Sequence, residues 1–303
     1  MENRDWISQG IGAEAFAALA EGLPAAEVWS LLLEAFARRA SARTAADVRQ
    51  QYSRDGFTRP APVDQRALVE IDGHLLAAAH EFEAIELAPL APLAVCAAVA
   101  RTSQNRIVSA LRGTEVVSDP TNVLALECAA RLQADASAVV RLATSHRAVR
   151  AQPVPKQPGF APHFRLFCLA SGGREQAHQT FVAGEVQRHI TTHLAGLDRL
   201  EANGYAFSNR RLNVLATPAR TEVAARIAAS ISGIAVSRGE LTHEYYDGLR
   251  FQIAVGGQDS GIPLIDGGAF DWLSTLTSNR KMAYVASGMG SQLVAFAFRR
   301  PVT

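Results

Sequence analysis

Apolar positions in the first 56 residues recur at helical spacing. Residues 13–23 are Ala-rich and stop at Pro24. A second helix begins there, because proline suits an early helical position that needs no backbone donor. Its Val28, Leu31, Leu32, Ala35 and Phe36 share one face. The segment 53–65 holds one Gly and two Pro and reads as a linker. Beyond Pro62 the pattern changes to helix 63–81, a strand over 82–90 that stops near Pro89, and two short strands about the Arg112–Gly113 turn. A helix over 120–132 follows, with Asp119 or Thr121 as its cap. The proline-rich stretch 152–162 is a loop and 163–171 a strand. The apolar stretch 181–190 reads as a strand leading into a helix over 191–205. Further strands fall at 211–218, 249–255, 261–265 and 282–287, with helices at 220–232 and 270–276. Helices and strands mix without strict alternation. That predicts an α+β fold around a largely antiparallel sheet, with a helical extension over 1–60 and a core domain over 61–303.

Composition narrows the classes. The 303 residues carry 30 Lys and Arg against 29 Asp and Glu, so no broad basic surface is available to neutralise many phosphates. Arg38, Arg39 and Arg43 read as the solvated face of a helix, and RNA is not an expected partner. Cys96, Cys128 and Cys168 lie far apart in apolar surroundings, which suits buried free thiols and a reducing cytoplasm. The first ten residues contain two acids and no apolar run, so no signal peptide is expected. No apolar run approaches the length of a membrane span.

Several motifs fail on inspection. The segment 256–261, GGQDSG, lacks the Lys-Ser/Thr end of a phosphate loop and reads as a hairpin turn. No G-x-S-x-G elbow is complete. His178, His189 and His193 lack a third ligand at metal spacing, so no metal site is expected. The segment 165–185, RLFCLASGGREQAHQTFVAGE, is more informative. A strand passes through a Ser-Gly-Gly turn to Arg174 and Glu175, and the chain then re-enters a strand carrying His178, Phe181 and Glu185. An arginine at a strand end can clamp a phosphate, and an aromatic on the returning strand can stack on a base.

This segment resembles motif 2 of the class II aminoacyl-tRNA synthetases, with Arg174, His178, Phe181 and Glu185 on the motif positions and Glu175 one residue early. Other segments agree in the same order. Residues 63–90 look like motif 1, and 118–132 resemble the pocket-lining Arg-Pro-Thr segment, with Asp119 in place of Arg and Pro120 and Thr121 agreeing. The stretch 243–257 is similar to the histidyl-type LDYYTGLVFE at Tyr245, Tyr246, Gly248 and Phe251, and 265–273 to GGGRYDGL at Gly267, Gly268 and Asp271. Residues 286–293 lie where motif 3 is expected, and Leu293 stands in place of its arginine. The resemblance covers roughly 63–298 and is nearest to histidyl-tRNA synthetase and the ATP phosphoribosyltransferase regulatory subunit.

The resemblance implies a class II synthetase-like antiparallel sheet and a homodimer formed through the motif 1 segment. It implies a nucleotide site at Arg174, Glu175, His178, Phe181 and Glu185, with Arg174 catalytic and ATP with Mg²⁺ as cofactors. An amino-acid-like metabolite would lie against Thr121, Tyr245, Tyr246, Gly267 and Gly268. Losing a preorganised charged donor costs roughly 10²–10³ in rate, so Leu293 counts against full aminoacylation unless Arg280 or Lys281 substitutes, and the resemblance puts Arg238 near the second histidyl-type signature arginine, before the tyrosine pair. The chain also ends ten residues after Leu293, where the family continues into an anticodon-reading module. Three readings follow: a metabolite-binding synthetase paralogue, a non-catalytic regulatory subunit docked on a partner enzyme, and an ATP-dependent aminoacyl ligase that works with a partner.

Overall fold

The computed structural model describes residues 10–154, 160–256 and 261–300. The N-terminal region is helical: α1 (Ala13–Ala17) runs into a π-turn, and α2 (Ala25–Ser41) and α3 (Ala45–Arg54) follow. Thr44 caps α3 through a reciprocal pair with Asp47. None of these helices contains a buried residue. The Trp29 indole of α2 lies over Gly113, where a Cβ would stand 3.4 Å from its ring nitrogen.

The core begins with α4 (Gln65–Ala78), whose Ile71 and Leu75 are buried. The expected long strand over 82–90 is broken into β1 (Glu83–Ala84) and β2 (Leu90–Pro92). β2 pairs with β4 (Thr114–Val116), which pairs with β3 (Ser109–Ala110), in a small three-stranded sheet. Then come α5 (Pro120–Ala134), β5 (Val140–Val149), β6 (His163–Arg174), α6 (Thr180–Ala202), β7 (Arg211–Ala216) and α7 (Thr221–Ser230). β8 (Ala235–Glu240), β9 (Leu249–Val255), β10 (Ile262–Phe270), α8 (Trp272–Leu276), β11 (Met282–Met289) and α9 (Ser291–Ala297) complete the order.

The main sheet has eight strands in the order β1-β5-β6-β11-β10-β9-β7-β8. The six central strands are antiparallel, and β1 and β8 join the two edges in parallel. The strands joined by GGQDSG are hydrogen-bonded neighbours, with Ile262 opposite Val255; the turn at 257–260 lies outside the described residues. Both faces of the sheet are covered. Val186 and Ile190 of α6, Ile71 of α4, Ile227 of α7 and Val294 of α9 pack with Leu169, Val285 and Phe251 on one face. Leu124 and Cys128 of α5 and Leu273 of α8 pack with Cys168, Ala286 and Tyr284 on the other. α4 approaches α6 closely at Gly196, where a Cβ would sit 2.8 Å from Leu75. All three cysteines are buried and free. No helix among the described residues is long and apolar enough to cross a membrane.

Two departures from the sequence reading bear on the site. Residues 181–190 are not a returning strand but the first half of α6, because Phe181, Val182, Glu185, Val186, His189 and Ile190 are all buried at three- and four-residue spacing. β5 supplies a ten-residue strand that the apolar pattern does not announce. Its Arg141, Ser145 and Arg147 are each met by a polar partner on a neighbouring element: Glu185, Asp72 and Gln292. The long hairpin is therefore β5–β6 and not a turn at Arg174; of the expected loop between its strands, residues 155–159 lie outside the described residues.

Candidate functional site

A cavity of about 530 Å³ opens on the α5 face of the sheet. Leu166 and Cys168 of β6, Ala286 and Gly288 of β11, and Asp266 and Phe270 of β10 lie beneath it. The walls are the first turn of α5, the segment around Cys96 to Ile107, Arg150 and Gln152 just after β5, and Tyr245 with Tyr246.

The α5 wall is built by its cap. Asp119 Oδ1 accepts the Thr121 backbone N–H at 3.1 Å and its hydroxyl at 2.7 Å, with Pro120 in the first turn. Arg150, directly after β5, donates from Nε to the Ser118 carbonyl at 3.0 Å and from Nη2 to Asp119 Oδ2 at 3.5 Å. Its guanidinium also lies 5.1 Å from the centre of the Phe164 ring. The Arg150 and Asp119 side chains remain 34% and 25% exposed, so the pair faces the cavity as a loose, solvated dipole. Deeper in, Asn122 donates to Cys96 Sγ at 3.0 Å, and Cys96 shares a 2.9 Å contact with the Ser118 hydroxyl. Burial pushes the Cys96 thiol up, so it stays protonated. The buried Asn122 Oδ1 has no partner among the described residues.

The opposite wall is aromatic. Tyr245 and Tyr246 stand edge to face with centroids 5.1 Å apart, and both meet Phe270. The Tyr246 hydroxyl donates to Asp266 Oδ1 at 2.8 Å. Asp266 also receives Arg250 through two hydrogen bonds and Gln252 at 3.2 Å, so its charge is spent within the protein. Burial pushes both tyrosine hydroxyls well above the ordinary phenol range, with Asp266 adding to the rise at Tyr246. Gly268 makes room for this wall: a Cβ there would lie 2.2 Å from the Leu249 carbonyl and 2.7 Å from the Tyr246 ring. Gly267 faces the other way, where a Cβ would meet Ser287 Cβ at 2.4 Å. The Ser287 hydroxyl sits between His189 Nδ1 at 2.9 Å and His193 Nε2 at 2.8 Å, both on α6. Burial lowers both imidazoles to about 3, so they are neutral.

Of the residues expected to hold a metabolite, Thr121, Tyr245, Tyr246 and Gly267 line the cavity, and Gly268 lies under Tyr246. The nucleotide set is elsewhere. Arg174 is exposed at the far end of β6, opposite Met282 and six residues beyond Cys168, about 20 Å along a strand. Glu175 caps α6, accepting from the backbone N–H groups of Gln176 and Phe181 at 2.9 and 3.0 Å. His178 occupies a left-handed turn at φ 56°. Phe181 is buried over Gly173, leaving no face for a base, and Glu185 pairs with Arg141 through bonds of 2.7 and 2.9 Å. None of those five residues lines this cavity. Arg238 on β8 and Arg280 and Lys281 before β11 are also away from it, and Leu293 packs on the core.

Sequence reasoning missed Arg150, Arg106, Asn122, Cys96 and Asp266 as lining residues. The available signal was positional: Arg150 is the last charged residue before a proline-rich stretch.

No protein-family model and no curated protein matches the sequence. Solved structures do match by shape. An ATP phosphoribosyltransferase regulatory subunit/histidyl-tRNA synthetase from Bacillus halodurans superposes with a TM-score of 0.57 at 14% identity, over 78% of this chain and 82% of that one. A histidine–tRNA ligase subunit from Alicyclobacillus acidocaldarius gives 0.58 at 12% identity, over 80% and 95%. The S. aureus histidyl-tRNA synthetase gives 0.54 at 12% identity, over 76% of this chain and 64% of its own. The chain therefore has the class II aminoacyl-tRNA synthetase fold.

Proposed function

We propose that this chain is a histidyl-tRNA-synthetase-like paralogue that binds a small zwitterionic, amino-acid-like metabolite in the cavity between α5 and the paired tyrosines. The observation that carries the reading is the Arg150–Asp119 pair. Its 3.5 Å separation and partial exposure leave each charge weakly satisfied. A zwitterion can insert between them, with its carboxylate on the guanidinium and its ammonium on Asp119 Oδ2. The ammonium can also donate to the unpartnered Asn122 Oδ1. Tyr245 and Phe270 offer an apolar surface to the metabolite's side chain.

The residues present do not fit ATP with Mg²⁺ in this cavity. Magnesium beside a nucleotide is held by one or two free carboxylates. Here Asp119 gives Oδ1 to the Thr121 cap and has the Arg150 guanidinium 3.5 Å from Oδ2, so a dication there meets a like charge, and Asp266 is neutralised by Arg250 and hydrogen-bonded by Tyr246 and Gln252. Leu293 supplies no charge to phosphate. These features favour binding over adenylation, and with it the reading of a regulatory subunit of a partner enzyme over that of a ligase. A thermal-shift screen across the amino acids, each with and without ATP and Mg²⁺, tests the reading. One or a few amino acids are expected to raise the melting temperature on their own through mass action. A screen in which none does so removes the metabolite reading, and a shift that requires ATP with Mg²⁺ restores the ligase. Co-purification with an ATP phosphoribosyltransferase identifies the regulatory subunit.

A further inference from the structure

The helices α1, α2 and α3 carry no buried residue, although their sequence is strongly amphipathic. Trp29, Val28, Leu32 and Leu33 are half-buried, with Trp29 seated on Gly113 of the core. Phe16, Leu31, Phe36, Val48 and Tyr52 remain about half exposed or more. Isolated helices of about 12–15 residues are marginal in water, and most helical stability in proteins comes from covering an apolar face. These exposed side chains therefore call for a cover that the described residues of one copy do not supply.

We propose that the cover is the same arm of a second copy, the two arms pairing antiparallel about a two-fold axis. Charge along the arm selects this occupant. Residues 10–36 contain four acids and no Lys or Arg, whereas 37–60 contain six arginines and two acids. Among the described residues, Glu34–Arg38 is the one ion pair that joins the two halves, and it spans a single helical turn. The arm is therefore negative at one end and positive at the other, with most of that charge unspent. A segment with this polarity complements itself when reversed end for end, which is the relation a two-fold axis imposes. Parallel pairing would set like charges side by side. Glu27 near the start of α2 then faces Arg38 and Arg39 near its end in the other copy, and Leu31 faces Ala35 across the axis. A foreign partner would have to match the apolar face and the reversed charge order independently; a second copy matches both because it carries the same sequence.

The test uses the full chain in two charge-reversed forms: an all-basic arm (Glu27→Arg with Glu34→Arg) and an all-acidic arm (Arg38→Glu with Arg39→Glu). Sedimentation velocity over a concentration series reads the association. The native chain is expected to self-associate, each reversed form to dissociate at concentrations at least tenfold higher, and an equimolar mixture of the two to recover native association. Leu31→Asp with Phe36→Asp is expected to weaken association without rescue by mixing. Sedimentation curves that superimpose for native and reversed chains overturn the proposal, even if the core face forms a dimer, and so does a mixture no stronger than its components. A native chain that stays monomeric at tens of micromolar also overturns it, and leaves the arm to a different protein.

Discussion

The Nε of Arg150 is committed to the Ser118 carbonyl at 3.0 Å, while its Nη2 stands 3.5 Å from Asp119 Oδ2, so the guanidinium is aimed but not consumed. The Phe164 ring lies beneath it, 5.1 Å from the guanidinium carbon to the ring centre. Arg150→Ala is expected to cut affinity for the zwitterionic ligand at least tenfold and to change stability by less than about 1 kcal/mol, because the side chain is partly exposed. Asp119→Asn keeps the helix cap, since Asn caps about as well as Asp, and should lower affinity through loss of charge alone. Calorimetric titration with the amino acid found by thermal shift, together with urea unfolding of each variant, checks both expectations.

Gly268→Ala places a methyl 2.2 Å from the Leu249 carbonyl, a backbone atom that cannot step aside, and 2.7 Å from the Tyr246 ring. Overpacking of this kind costs about 1–3 kcal/mol. The expected outcome is a lower melting temperature and a lost ligand response, because Tyr246 is pushed off Asp266. A variant that keeps both the native melting temperature and the ligand shift would refute this account of the glycine.

His189 and His193 are buried neutral, with pKa lowered to about 3. The unfolded chain takes up these protons near pH 6.5 and the folded chain does not. The stabilisation is therefore complete above about pH 6.5 and is lost as pH falls toward 3, by about 1.4 kcal/mol per histidine for each pH unit. Urea midpoints between pH 7 and 5 should fall steeply for the native protein and more shallowly for His193→Gln. Equal slopes would show that these histidines titrate alike in both states.

Glu185 is buried, and burial opposes its charge, but Arg141 and Ser171 more than offset this and hold its carboxyl below the ordinary range. A depressed folded pKa gives stability that is present above the unfolded glutamate value, about 4.3, and lost as pH falls through the folded one. Glu185→Gln leaves Arg141 half-buried without its counter-charge, so a loss of about 3 kcal/mol at pH 7 is expected, with a flatter acid limb. Chemical denaturation of both proteins at pH 7 and pH 3.5 measures the two effects.

What the sequence made legible follows from burial. α5 was readable because Asp119 and Pro120 mark its start, and β6 because both of its faces are buried and its residues run apolar almost throughout. β5 was hidden because Arg141, Ser145 and Arg147 interrupt the pattern, and their partners on α6, α4 and α9 are distant in sequence. With β5 missing, β6 was given the wrong hairpin partner, so the arginine singled out was Arg174 at the far end of the strand and not Arg150, which lines the cavity. β8 escaped notice because an edge strand with mostly exposed residues carries no apolar alternation. Thr121, Tyr245, Tyr246 and Gly267 were legible as one cavity-lining group because their motifs are short and local. Asn122 and Cys96 were not, since 26 residues separate two side chains that touch only through the fold.

Gly267 and Gly268 leave the middle of β10 bare on both faces, with Ser287 and its histidines on one side and Tyr246 on the other. The sheet is thinnest there. An occupant that leans on Tyr246 is separated from the imidazoles by a single layer of peptide. Their ring protons should therefore register its arrival in a magnetic-resonance spectrum, giving the molecule a built-in reporter that needs no label.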